Sequence, residues 1–323
     1  MSVMDRPILE GAAPGGAFAG FVRSGATIEM KAFTGVSGDA GGYAVPREVD
    51  AQIDAVLKGI SPIRGIANVV KVGSAGYRKL VTTGGTPSGW AAENAARPET
   101  ATPVFVEIVP PTGELYANPA ASQAMLDDAA FDVEAWLAGE IAMEFAKAEG
   151  AAFVGGSGSG RPKGFLTQPT AATADGVRAF GTLQYLASGT AGDFSASPQE
   201  RLIDLVQALR APYRQGASWV MNANTLARIR KLKGSDGHPL WQPARLLGYP
   251  VVEAEDMPDI AANALSIAFG NFAAGYLIAE RAETAILRDP YTNKPFVSFY
   301  ATRRIGGCVA DSEAIKLLKF AAA

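Results

Sequence analysis

Two stretches of this sequence carry apolar side chains without the spacing that would bury them, and this narrows the available folds more than any other feature. Between a strand-like run from Val69 to Val81 and another from Pro103 to Val109 lies GGTPSGWAAENAARPETAT. Hairpin loops usually take about 2 to 5 residues, so roughly twenty residues of Gly, Thr, Pro and Ala are too many for an ordinary turn. The segment is either a mobile lid or an arm that finds its order on a neighbouring subunit. Residues 1–42 pose the same problem. They are rich in Gly and Ala, follow neither a helical nor a strand period, and scatter Phe18, Phe21, Val22, Ile28 and Phe33 along their length. Isolated large apolar groups on a flexible backbone neither build a core nor suit water, so a partner surface is their natural sink and a disordered tail the plain alternative.

The rest of the chain is ample for a core. Its 323 residues correspond to about two domains, and 48% hydrophobic with 19% charged residues lies in the globular range. A lone cysteine, Cys308, excludes an internal disulfide framework. With 29 Lys and Arg against 32 Asp and Glu, the chain lacks the positive charge that drives nonspecific nucleic-acid binding, so a DNA-reading module is not expected. The sequence contains no charge-free apolar run of about 18 residues, and MSVMDRPILEGAAPGG is no export signal. A soluble chain is expected, with no membrane contact.

Pro46 opens a helix through Val49, Ile53, Val56 and Leu57 to Gly59. In the second strand run Val104, Val106 and Ile108 share one face, and Phe105, Glu107 and Val109 the other. Asp132 caps a long rod whose stripe is Val133, Trp136, Leu137, Ile141, Phe145, Ala148, Ala152 and Phe153. About twenty residues give a rod of roughly 30 Å. Ala138, Gly139, Ala142, Ala146 and Ala148 would let strands approach it, and it stops at GGSGSG. Ser197-Pro198-Gln199-Glu200 reads as a capping box before Leu202, Ile203, Leu205, Val206 and Leu209, with Gly216 as the stop. A strand over Ser218 to Met221, a cationic helix over Thr225 to Lys233, and strands at Tyr249 to Val252, Leu265 to Phe269 and Gly275 to Ala279 complete a compact α/β unit. Thr284 to Arg288 and Phe296 to Arg304 form a hairpin around DPYTNKP, and Ala314 to Phe320 closes the chain as strand or helix.

Catalytic motifs fail on spacing. GGSGSGRPKG would need glycine at Arg161 for a dinucleotide loop, and its Lys163 follows Pro162 rather than preceding Ser or Thr, so it reads as a tight interdomain turn. No G-x-S-x-G window exists, and His238 lies in a Gly/Pro turn with no companion ligand. Asp127 with Asp128, and Glu253, Glu255 and Asp256, are carboxylate clusters that helix ends and loops explain equally well. Cys308 reads as a buried small hydrophobe, and Arg228, Arg230, Lys231 and Lys233 as a solvated face or a partner for acidic loops. The sequence predicts no catalytic, cofactor-binding or metal site.

Several segments in combination resemble the major capsid proteins of tailed bacteriophages with the Hong Kong 97 fold. They are KAFTGVSGDAGGYAVP, SQAMLDDAAFDVEAWLAGEIAMEFAKAEGAAFVGGSGSGRPKGFL, LLGYPVVEAEDMP, IAFGNFAAGYLIAER and ILRDPYTNKPFVSFYATRRIGGCVADSEAIKLL, covering about residue 18 to the end. In style the likeness is to prophage or gene-transfer-agent capsids. The resemblance implies an α+β fold with an N-terminal arm at 1–42, the start of a peripheral domain at 43–71 and an extended β-hairpin loop at 72–110. The peripheral domain with its long spine helix would take 111–166, an axial α/β domain 167–283, the peripheral hairpin 284–304 and a closing axial segment 305–323. The same resemblance implies pentamers and hexamers of the chain itself, assembled in the bacterial cytoplasm into a virion or capsid-like particle around DNA. Its other partners would be a portal and scaffold, protease or decoration proteins, with weak nonspecific contact to DNA.

Some relatives weld the shell with a lysine–asparagine bond aided by a glutamate. This sequence departs from that: a lysine would fall at Asn94 or Arg97, arginine is no amine nucleophile, and although Asn293 remains, Phe296 to Arg304 contains no acid. A shell held by non-covalent contacts is expected, as is either a processed chain or one served by a separate scaffold. The intersubunit contact candidates are Phe18, Phe21 and Phe33 in the arm, Trp90, Glu93, Arg97 and Glu99 on the loop, and Asp289, Tyr291 and Asn293 at the hairpin tip, with Arg97 and Glu99 pairing across subunits. The alternatives are an encapsulin-like compartment of the same fold and, from another class, a cytoplasmic α/β hydrolase or transferase.

Overall fold

Strand alternation and one long helix organise the computed structural model, which describes residues 61–323 apart from 74–75, 84–87, 92, 94–96, 98, 101, 124–125, 127–132, 233–244, 282–284 and 323. The arm, the helix expected after Pro46, Asp127, Asp128, Asp132, His238 and Lys233 therefore lie outside the described residues. In chain order the elements are α1 (Pro62–Ile66), β1 (Asn68–Val72), β2 (Lys79–Thr83), β3 (Val104–Ile108), β4 (Thr112–Ala117), β5 (Ala120–Ser122) and α2 (Val133–Gly155). Next come β6 (Thr170–Ala171), β7 (Leu183–Ala187), β8 (Gly189–Thr190), β9 (Asp193–Phe194), α3 (Pro198–Ala208), α4 (Ala211–Arg214), β10 (Ser218–Met221) and α5 (Ala223–Arg230). The chain ends with β11 (Arg245–Leu246), β12 (Tyr249–Glu253), β13 (Ile267–Gly270), α6 (Phe272–Gly275), β14 (Tyr276–Arg281), β15 (Ala285–Asp289), β16 (Phe296–Val309) and β17 (Ile315–Lys319).

The chain divides into two units, one of 1–57, 115–144 and 283–303, the other of 58–114, 145–282 and 304–323. The second holds a seven-stranded mixed sheet in the order β11-β12-β10-β13-β17-β7-β6. Successive strand residues point to opposite faces, so Val220, Ala268 and Leu317 join one core cluster while Trp219, Met221, Ile267, Phe269 and Leu318 join another. The first cluster is completed by Phe153 and Val154 from the end of α2, the second by Leu202, Leu205 and Val206 of α3 and Leu226 and Ile229 of α5. In the same unit β1 pairs parallel with β14, and β14 antiparallel with the end of β16.

In the first unit β15 pairs antiparallel with the start of β16, whose other edge takes β5. Val297 and Phe299 point inward against Leu126, Val133, Ala121 and Leu137. The hairpin expected around DPYTNKP is present, and its second strand runs on to Val309.

Several local expectations need correction. The run from Val69 to Val81 is two strands, β1 and β2, with different partners. Along α2 the buried face passes through Glu149 and Gly150 rather than Ala148, because a buried arginine draws Glu149 inward, and Trp136 of the expected stripe is half exposed. Ile203 faces solvent beside buried Leu202, one residue being 100° of helix turn from the next. Ser197 precedes α3 without a side-chain cap bond, whereas Asn222 caps α5 by accepting from the Thr225 N–H at 2.8 Å. The closing segment is strand.

Two buried ionic groups cross-link the second unit. Arg64 of α1 donates to Glu149 of α2 at 3.0 and 3.1 Å and to Glu280 of β14 at 2.5 Å. Burial pulls the guanidinium toward its neutral form, but the two carboxylates outweigh it and hold its pKa above the ordinary value. Lys316 of β17 is fully buried against Asp175, which also accepts from Arg178 at 2.8 Å. Desolvation there outruns the carboxylate and lowers the ammonium pKa. Removing one member of a buried pair strands the other charge, at a cost of about 3–5 kcal/mol. Arg64→Met is therefore expected to lower unfolding stability by about 3–5 kcal/mol, read as a fall in urea midpoint with little change in slope; a midpoint within error of the parent would contradict this.

Candidate functional site

Two strand pairs carry much of the apolar surface that the cores leave uncovered. In the second unit β2 and β3 pair, among the described residues, only with each other, Lys79 opposite Ile108, Val81 opposite Val106 and Thr82 opposite Phe105. Ile108 and Val81 reach the cluster of Leu277, Cys308 and Ala310, which seats the foot of this hairpin. The opposite face turns Leu80 and Phe105 to solvent, 69% and 66% exposed, with Val109 exposed beyond them, while Val104, at the far end of the face that carries Ile108, is exposed as well. Arg78 and Glu107, also exposed, pair at 3.0 Å. Beyond the strands Trp90 is wholly exposed, and Glu93, Arg97 and Glu99 are exposed.

In the first unit the outer face of β15 and β16 carries Leu287, directly opposite Tyr300, and Phe296. Tyr116 stands over Tyr300 with ring centroids 6.5 Å apart. At the tip the Asp289 carboxylate accepts from the Tyr291 N–H at 2.9 Å, the Thr292 N–H at 3.2 Å and the Thr292 hydroxyl. These bonds hold its pKa below the usual carboxylate range. The Asn293 carbonyl accepts from the Phe296 N–H at 2.7 Å, and Tyr291 is left 78% exposed.

Phe18, Phe21 and Phe33 lie outside the described residues. Trp90, Glu93, Arg97 and Glu99 share one loop, and Asp289, Tyr291 and Asn293 one turn, in which Asp289 is occupied by its own backbone. Sequence reasoning passed over Leu80, Phe105, Tyr116, Leu287 and Tyr300. A signal existed: Val104 to Val109 is apolar on both faces, the mark of a strand meant to be covered twice.

Among the described residues no cluster of His, Cys, Asp and Glu has the makings of a metal site, and no helix is long and apolar enough to cross a membrane. Glu253 faces Arg230 at 3.6 Å and Arg228 faces Asp193 at 2.8 Å, so the cationic helix does partner acidic neighbours. Burial, with Glu255 adding to it, raises the pKa of Asp256. The GGSGSGRPKG segment folds on itself, the Gly164 N–H donating to Gly156 O at 2.9 Å and Ser157 bridging Lys163.

A mixed-sheet core, a long helix and an apolar hairpin with one uncovered face suit a shell-building subunit, and the fold is the one that Hong Kong 97-type capsid proteins share. The phage capsid family model matches residues 41–320, and the chain belongs to that family. The chain is similar to the capsid of an empty gene transfer agent (GTA) particle computed with C5 symmetry, at 49% identity and TM-score 0.78 over 92% of this chain and 98% of that one. The capsid of the native GTA particle matches at 48% and 0.77, over 92% and 99%. A chain of Gordonia phage Cozz shares the fold at 13% identity and TM-score 0.57, over 100% and 99%. No curated protein sequence matches.

Cys308 offers a check on the hairpin foot. Burial pushes its thiol up to about 11, against a smaller opposing pull from Lys163 and Lys79. A raised thiol pKa contributes stability that is complete below the unfolded value of 9.0 and lost as pH climbs toward 11. The folded protein is expected to alkylate about a hundredfold more slowly than the unfolded chain at about pH 8, measured by mass spectrometry; equal rates would place the thiol in solvent.

Proposed function

We propose that copies of this chain close into an icosahedral-type shell around DNA through five-fold and six-fold clusters, with function residing in contacts between copies rather than in a catalytic centre. The uncovered face of β2 and β3 carries this reading. Leu80 and Phe105 gain about 1.5–3 kcal/mol each on full burial, and among the described residues no segment of their own unit lies over them. The loop at 72–110 and the arm at 1–42 reach across neighbours, while the peripheral segments at 43–71, 111–166 and 284–304 and the axial segments at 167–283 and 305–323 form the body. Contacts of about 2,000 Å² or more are characteristic of obligate subunits, and repetition around each copy lets modest ones suffice.

The shell is held without covalent links, since neither Asn94 nor Arg97 offers an amine nucleophile. A portal and scaffold or decoration proteins join it, and the slight net negative charge of −3 keeps contact with packaged DNA weak. The purified protein is expected to sediment as particles or capsomers of several hundred kilodaltons to megadaltons, with nuclease-protected DNA inside filled ones. Leu80→Asp with Phe105→Asp should abolish particles in negative-stain micrographs while unfolding stability stays within about 0.5 kcal/mol of the parent. Undiminished particle yield from that variant would overturn the reading.

A further inference from the structure

The exit of the hairpin is clamped by close backbone approach, with side chains closing its outside. After β3 the chain passes through Pro111, Thr112 and Gly113, all in the second unit. A Cβ on Gly113 would lie 2.2 Å from the Gly160 carbonyl oxygen, 2.7 Å from its carbonyl carbon and 2.8 Å from Arg161 Cα. All three are main-chain atoms and cannot swing aside. From the other direction, a Cβ on Gly306 of β16 would meet Thr112 Cγ2 at 2.8 Å and Pro111 O at 3.0 Å.

Hydrogen bonds tie the same strands of chain together. The Gly307 N–H donates to Pro111 O at 3.2 Å, and the Lys163 N–H to Gly307 O at 2.8 Å. Arg304 closes the outside by donating to Glu114 at 2.8 Å. The hairpin exit therefore lies between the turn that ends α2 and the strand β16, with glycine wherever two backbones touch. Since the other strand of the hairpin follows β1, itself paired with β14, both ends of the hairpin are fixed to the same sheet.

We propose that the contact of Gly113 with Gly160, backed by Gly306 against Thr112, sets the direction in which the β2–β3 hairpin leaves its unit, and that this direction lets copies close into a shell of one size. The proposal rests on the shell reading above. A methyl group at Gly113 must push the exit away from the α2 turn, and a small tilt at the root becomes a larger displacement at the loop. A subunit so altered still folds and still exposes its apolar face, but presents that face to the wrong place on its neighbour.

The test compares the full-length parent with Gly113→Ala, Gly306→Ala, the double variant Gly306→Ala with Thr112→Ser, and Gly139→Ala as a control whose added methyl meets open space. Thermal unfolding reports the fold, and electron microscopy reports particle diameter and closure. The control should match the parent. In Gly113→Ala the fraction of closed particles of parental diameter is expected to fall about tenfold, with open sheets or mixed sizes in their place and unfolding still cooperative. Removing Thr112 Cγ2 should restore closure to Gly306→Ala, which a general loss of stability would not explain. Parental diameters and yield in Gly113→Ala would overturn the clamp while leaving the shell reading intact. If that variant is not recovered folded, the Gly306 pair decides: no defect in the single variant, or no recovery in the double, overturns the clamp. A parent that forms no particles overturns both proposals.

Discussion

Two strands that pair only with each other cannot shelter both of their faces. The β2–β3 hairpin spends one face on Leu277, Cys308 and Ala310 and leaves Leu80 and Phe105 on the other. An isolated hairpin is marginal in water, and exposed apolar area costs about 25 cal/mol per Å² relative to burial. The rest of the structure can be understood as the apparatus that holds this unfavourable surface out and steady. The seven-stranded sheet buries its apolar residues on both sides. With that core complete, the hairpin contributes to the monomer through its foot, at Ile108 and Val81, and its other face is free for contact.

The ionic groups follow the same division. Arg64, Glu149 and Glu280 are buried, and they join α1, α2 and β14. Buried charges rarely add stability over a well-packed apolar substitute, but they penalise any arrangement in which a partner is displaced. The exposed pairs, Arg78 with Glu107 and Arg304 with Glu114, contribute about 0–1 kcal/mol each. Their value in this fold is to keep the outer edges of an apolar hairpin and its exit polar, which discourages indiscriminate edge pairing.

Much of this was legible in the residues. α2 could be read because its apolar positions recur at helical spacing for 23 residues, and the β15–β16 turn because DPYTNKP separates two alternating runs. The face of α2 was misjudged at Glu149 because a glutamate reads as solvent-facing until its partner is known, and Arg64 lies 85 residues away. Contacts of that separation leave no local trace. The exposed loop residues, Trp90 above all, were found by composition, since an aromatic in a run of Gly, Pro and Ala has nothing nearby to bury it. Leu80 and Phe105 were missed because alternation reveals two faces without telling which one the fold will cover. The glycines at 113 and 306 escaped for a related reason: close approach of two backbones is a property of the partner, absent from the sequence around either residue.

Rigidity at the root and exposure at the blade bear together on assembly. A loop that had to be ordered from coil on each contact would cost about 1–2 kcal/mol of backbone entropy per residue. In β2 and β3 five residues each are already paired before any neighbour arrives. That spares roughly 10–20 kcal/mol, a sum comparable with the translational and rotational cost of association itself. A chain that settles this cost within its own fold can assemble through contacts that are individually weak. Weak contacts matter in their own right, because a subunit misplaced in a growing shell must be able to leave before its neighbours trap it.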